Sequence, residues 1–199
     1  MADAGLDKDS EIIGIALDGV GYGADGTVWG GEILKAGYTD FTRSAHLKPQ
    51  AMAGWDVCSY YPERMIFGML KDIVEADRLL ELPMELKHGS KEKKVLQEQL
   101  DKNINVVMSS SAGRVLDAAS ALLGICRYRS YQGEPAMKLE SAARTGNETS
   151  LELPFIVRDD VLDTGMLLYE LYERLGEYPV PELAYAFEDA FAQGVALLA

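Results

Sequence analysis

Cysteine and histidine are nearly missing from this sequence: 199 residues hold two of each, Cys58 and Cys126, His46 and His88. The cysteines form no C-x-x-C pair and the histidines have no partners at metal-ligand spacing, which excludes a disulfide scaffold and a zinc finger. Basic charge is also scarce. Lys and Arg total 19 against 32 Asp and Glu, a net charge of -13, so a nucleic-acid backbone or an anionic lipid surface would be repelled at long range. Apolar runs stop well short of the roughly 18 residues a membrane helix needs, and the opening MADAGLDKDSE lacks the basic-then-apolar order of a signal peptide. The expectation is a soluble, cytoplasmic protein with neither nucleic acid nor membrane as partner. What the sequence does have is a core, with 48% hydrophobic residues, ample for one domain at the usual scale of about 100–200 residues.

From Glu11 to about Ser44 the pattern predicts strands. In IIGIALD, Ile13, Ile15 and Leu17 share one face and Ile12, Gly14, Ala16 and Asp18 the other, and TVWGGEIL and YTDFTRSA follow at short spacing. After Pro62 the period turns helical, with Met65, Ile66, Met69, Leu70, Ile73 and Val74 on one stripe. Further helices are expected near Ser90–Asn103, Ser110–Cys126, Glu134–Arg144, Asp159–Leu175 and Glu182–Leu198. The fold class is therefore α+β in one unit over 1–199, a small antiparallel sheet within 1–50 followed by a mainly helical part over 60–199.

The densest motif is DGVGYGADG, with Gly19, Gly21, Gly23 and Gly26 directly after an apolar strand. Such a loop can aim its N–H groups at an anion with no Cβ in the way, or it is an ordinary Asp-Gly hairpin turn. Asp18 ends the strand, where a carboxylate can hold a metal or a hydroxyl or cap the turn. The second motif is the helix SSAGRVLDAASALLGIC. Val115, Leu116, Ala119, Leu122, Leu123 and Cys126 make its core stripe, while Ser110, Gly113, Asp117, Ser120, Ala121 and Gly124 gather opposite. A strip of small residues around one carboxylate suits close helix packing or a ligand, and ribose hydroxyls are suitable donors for Asp117. In SYQGEPAMKLE, Gly133 and Glu134 precede Pro135 and a helix start. The aromatic residues at helical spacing and both histidines are expected to be structural.

Taken together, IGIALDGVGYGADGTVWGGEIL, AHLKPQAMAGWD, YPERM, SSSAGRVLDAASALLG and YQGEPAMKLE resemble the HypF-type carbamoyltransferases in both content and order. The resemblance implies the central part of a transferase domain similar to the TsaD-type tRNA threonylcarbamoyl transferases, an actin/hexokinase-like (ASKHA, RNase H-like) nucleotide-binding fold. It implies chemistry in which carbamoyl phosphate and ATP give carbamoyl adenylate, and the carbamoyl group passes to the C-terminal cysteine of a HypE-like acceptor for the cyanide ligands of [NiFe] hydrogenase. On this resemblance Asp18 matches a metal ligand, the cofactor being a divalent metal. Gly19 and Gly21 match a loop facing nucleotide phosphates, Asp117 a ribose-binding aspartate, and Gly133 with Glu134 a turn near the nucleoside.

The sequence also departs from that family. Ala53-Gly54-Trp55-Asp56 stands where Pro-Gly-Gly-Asp is usual, and Gln132 where Glu is common. An H-x-x-x-H helix is expected to precede a segment like MADAGLDKDSE and a Ser-Gly-Gly loop with a late aspartate to follow one like YAFEDAFAQGVALLA, so the expectation is an incomplete site and an inactive isolated chain. Competing readings are a non-catalytic interaction module, one half of a split enzyme, and a small-molecule or tRNA carbamoyltransferase of the same superfamily. The net charge argues against tRNA and TVWGGE favours the hydrogenase branch.

Overall fold

The computed structural model describes residues 1–82 and 84–199. Strand β1 (Ile12–Tyr22) runs antiparallel to β2 (Val28–Ala36), and β2 runs antiparallel to β3 (Phe41–Leu47). The turn between β1 and β2 is closed by Gly23 N–H donating to the Thr27 carbonyl at 3.0 Å. Asp25 Oδ1 accepts from Thr27 N at 3.0 Å and from Trp29 Nε1 at 3.0 Å. Gly26 takes φ +80° there, a conformation that costs a glycine nothing.

The sheet is not confined to the first 50 residues, nor is it purely antiparallel. Short β4 (Gln50–Ala53) pairs antiparallel with β5 (Val106–Ser109), and β5 joins β2 in parallel at Val28 and Ser109. On the other side, the hairpin of β6 (Val157–Arg158) and β7 (Val161–Leu162) adds β7 in parallel to β3. Because β3 pairs only with the later part of β2, from Glu32 to Ala36, β2 can take β5 at its start, and the mixed seven-stranded sheet branches there. The β6–β7 hairpin falls where a helix start was expected. Asp159 and Asp160 both have positive φ, 51° and 59°, as a two-residue hairpin turn requires, and helix α7 begins only at Thr164, capped by Asp163 accepting from Met166 N at 3.1 Å.

Helices α1 (Val57–Tyr60), α2 (Glu63–Leu70), α3 (Ala76–Glu81), α4 (Ser90–Asp101), α5 (Ala112–Leu122), α6 (Glu134–Ala143), α7 (Thr164–Glu173) and α8 (Val180–Leu198) complete the chain. Every residue of α2 is buried, as expected of a helix enclosed on all sides. Gly68 lets it lie directly on β4, since a Cβ there would overlap the Ala51 carbonyl. Phe67, Met65, Ile66 and Leu70 of α2 form the core with Leu167 and Leu168 of α7 and Phe187 of α8. In contrast, Ile13, Ile15 and Leu17 on β1 are about half exposed. Among the described residues no helix is long and apolar enough to cross a membrane.

Candidate functional site

The expected glycine-rich loop is mostly strand. β1 continues through Asp18, Gly19, Val20, Gly21 and Tyr22, and only Gly23 to Thr27 turns. Its pairing with β2 slips between Leu17, opposite Gly31, and Gly21, opposite Trp29, so Asp18, Gly19 and Val20 bulge out against Gly30 alone. Bulges re-aim the chain at functional sites. Here the bulge rests on the start of α5. Ser111 caps that helix by accepting from Arg114 N at 3.1 Å, and its hydroxyl proton is shared between the carbonyls of Asp18 at 2.9 Å and Gly19 at 2.8 Å. A Cβ at Gly113 would lie 3.0 Å from Gly19 Cα, and one at Gly30 would lie 2.6 Å from the Asp18 carbonyl oxygen. Glycine is needed at these two positions because backbone meets backbone.

Behind the bulge lies a polar cluster that sequence reasoning missed. Glu32, 2% exposed, accepts from the Gly30 and Gly31 N–H groups at 2.7 Å each, from Arg43 at 2.8 Å and from the Ser110 hydroxyl. The Arg43 guanidinium also stacks 4.4 Å from the Trp29 ring centroid. The cluster ties β2, β3 and the serines before α5 into one support for the bulge. The available signal was a Glu inside the otherwise uncharged run from Val28 to Leu34, which needs buried donors.

A cleft of about 550 Å³ opens beside the bulge. Asp18 and Gly19 from β1, Asp117 from α5 and Gly133 from the turn before α6 all line it, together with Asp56, Arg114 and Arg129. Gly21 and Glu134 do not line it. A Cβ on Gly21 would meet the Trp29 backbone at 3.1 Å. Glu134 pairs with Lys138 at 2.7 Å and accepts from Ser130 Oγ and N, and these bonds, the Lys138 contact foremost, hold its carboxyl down at about 2. Its visible role is to fasten the turn before α6, where Gly133 has φ +80°.

Asp117 is on the cleft side of α5 as expected, but it is not an exposed carboxylate. It is 2% exposed, with Arg114 Nη2 at 2.8 Å one turn back on the helix. Burial pushes its carboxyl up to about 6 against the opposing pull of Arg114 and Arg129, and burial likewise lowers Arg114. An Arg and an Asp three apart on a helix of small residues was the readable signal for this pair. Asp56 reaches the cleft because Arg64 of the YPERM segment donates to the Ala53 carbonyl at 3.0 and 3.1 Å, anchoring the turn that follows. In that turn Gly54 and Trp55 both have positive φ, 93° and 53°.

As a metal site the residues fall short. Asp18 is one exposed carboxylate, accepting from its neighbour Gly19 N, and among the described residues no three His, Cys, Asp or Glu side chains group to hold a metal ion. Burial raises the thiols of Cys58, to about 11, and of Cys126, so neither is poised as a nucleophile.

Residues 14–199 match the family model described as the second subdomain of the Kae1-like domain of a carbamoyltransferase. The chain is 39% identical over 168 residues, 84% of its length, to the probable carbamoyltransferase HypF of Methanocaldococcus jannaschii, of which this is 22%. It is 45% identical over 139 residues, 66% of its length, to carbamoyltransferase HypF of Rhodobacter capsulatus, of which this is 18%. The crystal structure of T. kodakarensis HypF superposes with a TM-score of 0.83 at 41% identity, covering 94% of this chain and 26% of that one. A full-length HypF in phosphate- and nucleotide-bound form superposes with a TM-score of 0.83 at 31% identity, covering all of this chain and 26% of that one. The chain thus spans about a fifth of the length of these two curated relatives.

Proposed function

We propose, for a chain that belongs to the HypF carbamoyltransferase family, that the cleft between the β1 bulge, α5 and the start of α6 holds the nucleotide part of an ATP or carbamoyl adenylate substrate. The observation that carries this reading is the convergence of Asp18, Gly19, Asp117 and Gly133 on one cleft that also presents Arg114 and Arg129. The cleft sets Arg114 and Arg129 beside three carboxylates, Asp18, Asp56 and Asp117, so its charge is mixed in a protein of net charge -13, and a ligand that carries both hydroxyl donors and an anionic group suits it. The nucleotide-bound state of one solved relative supports the same reading.

In this proposal Asp117 accepts from the ribose hydroxyls, Gly19 and Gly133 leave room for the ligand, and Arg129 offsets phosphate charge. The wider reaction starts from carbamoyl phosphate and ATP. The carbamoyl carbonyl, activated by its adenylate leaving group, is attacked by the thiolate of a cysteine at the C-terminus of a HypE-like acceptor. The product serves hydrogenase cyanide-ligand synthesis in the cytoplasm. A divalent metal does not fit this chain's residues by themselves, because Asp18 brings one carboxylate and no group of three His, Cys, Asp or Glu side chains forms among the described residues.

The test is a calorimetric titration of the chain with ATP, beside Gly19→Val. A Cβ at Gly19 meets only the Arg114 guanidinium, at 3.7 Å, so the variant should fold and obstruct the cleft. Loss of about tenfold or more in affinity with an unchanged melting curve is expected. Equal affinity in a folded Gly19→Val, or no ATP binding by the parent chain, would reject the reading.

A further inference from the structure

Among the described residues, six buried side-chain nitrogen and oxygen atoms lack a hydrogen-bond partner, and four of them sit together: Arg114 Nε and Nη1, Asp117 Oδ2 and Ser120 Oγ. These three residues are spaced i, i+3 and i+6, so they run along one side of α5, and Arg114 and Asp117 line the cleft. Elsewhere the helix is well satisfied, with Ser111 capping its start and Val115, Ala118 and Ala119 buried in the core. Native proteins leave few buried polar groups unpaired, and a cluster of them marks a missing partner. Arg114 Nη2 does approach Asp117 Oδ2 to 2.8 Å. Since Oδ2 nevertheless accepts no directed hydrogen bond, the contact is one of charge, and the carboxylate keeps its acceptor capacity.

A partner completing this row must donate to Asp117 and tolerate Arg114 beside it. An isolated oxyanion suits Arg114 but meets Asp117 as a like charge. A pair of hydroxyls, which both donate and accept, suits both.

We infer that Arg114 is a positioning residue for a ligand diol: its guanidinium holds Asp117 in place as a carboxylate, and Asp117 then accepts from the hydroxyls. This inference rests on the nucleotide reading of the cleft and assigns a function to a residue outside the set the sequence resemblance supplies. The surrounding charges agree with it. Asp117 is buried enough to have its carboxyl raised to about 6, and the groups that keep it from rising further are Arg114 on its own helix and Arg129 from the following loop. The buried Cys126 thiol lies within range of its charge, and the carboxylates of Asp18 and Asp56 line the same cleft from β1 and the turn before α1. Removing Arg114 leaves Arg129, among the described residues, as the one cation acting on Asp117 and drives the carboxyl toward its neutral form, a poorer acceptor.

The experiment titrates the chain and its Arg114→Gln and Arg114→Lys variants with adenosine and with 2′,3′-dideoxyadenosine between pH 5 and 8, with a melting curve for each protein. The parent should prefer adenosine by about tenfold at pH 7.5, with the preference shrinking as pH falls below 6. Arg114→Gln should lose the preference at pH 7.5 while binding the dideoxynucleoside as the parent does, and Arg114→Lys should restore part of it. A folded Arg114→Gln that keeps the full preference overturns the inference and leaves the nucleotide reading standing. A parent that binds both nucleosides equally, or neither, overturns both. Should Arg114→Gln fail to fold, the parent decides: a preference independent of pH from 5 to 8 overturns the inference, and carbon NMR of the Asp117 carboxyl titration in Arg114→Lys gives a second reading.

Discussion

One hydroxyl joins Ser111 to Gly19: the side chain that caps α5 also donates to the Gly19 carbonyl at 2.8 Å, with Asp18's carbonyl at 2.9 Å. The start of the helix and the strand bulge are therefore a single unit, and the cleft between them cannot change shape at one wall alone. Ser111→Ala removes the cap and strands two carbonyls, so a loss of about 1–2 kcal/mol is expected in a denaturant melt. Weaker ATP binding should accompany it. An unchanged melt would show that water replaces the hydroxyl.

Asp117→Ala should destabilise the fold as well as weaken nucleotide binding. It leaves Arg114 buried without its carboxylate, a defect worth about 3–5 kcal/mol. The sequence pattern alone, with Asp117 opposite the core stripe, predicts little loss of stability. A melting curve separates the two expectations, and a variant as stable as the parent would favour the simpler one.

Glu188 on α8 is partly buried facing Glu140 of α6, and burial followed by that like charge lifts its carboxyl from 4.5 to about 7. The folded state binds this proton more tightly than the unfolded chain does. Its stabilising contribution is present below pH 4.5 and is lost as pH rises through 7. Glu188→Gln should thus raise stability at pH 8 by on the order of 1–2 kcal/mol, discounted for solvent screening, and leave it unchanged at pH 4. Denaturant melts at the two pH values check both halves.

Gly31→Ala should be far more damaging than Gly26→Ala. A Cβ on Gly31 would overlap the Ser110 carbonyl and the Leu47 side chain, whereas one on Gly26 meets nothing, and its φ of +80° is the only obstacle. A clash with a backbone carbonyl puts Gly31→Ala at or above the upper end of the about 1–3 kcal/mol that overpacking costs, against about 1–2 kcal/mol for a left-handed alanine. Comparable melting temperatures for the two variants would contradict the packing of β2 against Ser110 and Leu47.

Trp55→Gly should stabilise the protein by about 0.5–1 kcal/mol, since the tryptophan is held at φ +53° and is half exposed. The left-handed strain of about 1–2 kcal/mol exceeds what glycine adds to unfolded-chain entropy. ATP affinity should not change, because Trp55 does not line the cleft. A lower melting temperature would show that the ring contributes more by packing than its backbone costs.

The short-range elements were readable because local chemistry decides them. Alternation placed β1, β2 and β3, and 3.6-residue periodicity placed α5, α6 and α8 to within a few residues, whereas the stripe that starts after Pro62 runs on to Val74 although α2 ends at Leu70. The residues Asp18, Gly19, Asp117 and Gly133 could be singled out for the same reason: each breaks a local pattern, as a carboxylate on a strand or among small residues, or as a glycine before a helix. Tertiary structure alone decided that β4 to β7 join the first three strands in one sheet, because segments of two to four residues carry too little periodicity to announce a pairing partner a hundred residues away. It also decided that Glu32, Arg43 and Ser110 meet behind the bulge, that Gly21 and Glu134 stand off the cleft, and that Arg114 lies against Asp117 in a buried setting. Burial and charge contact arise only when distant segments close over a side chain, so no window of sequence contains them.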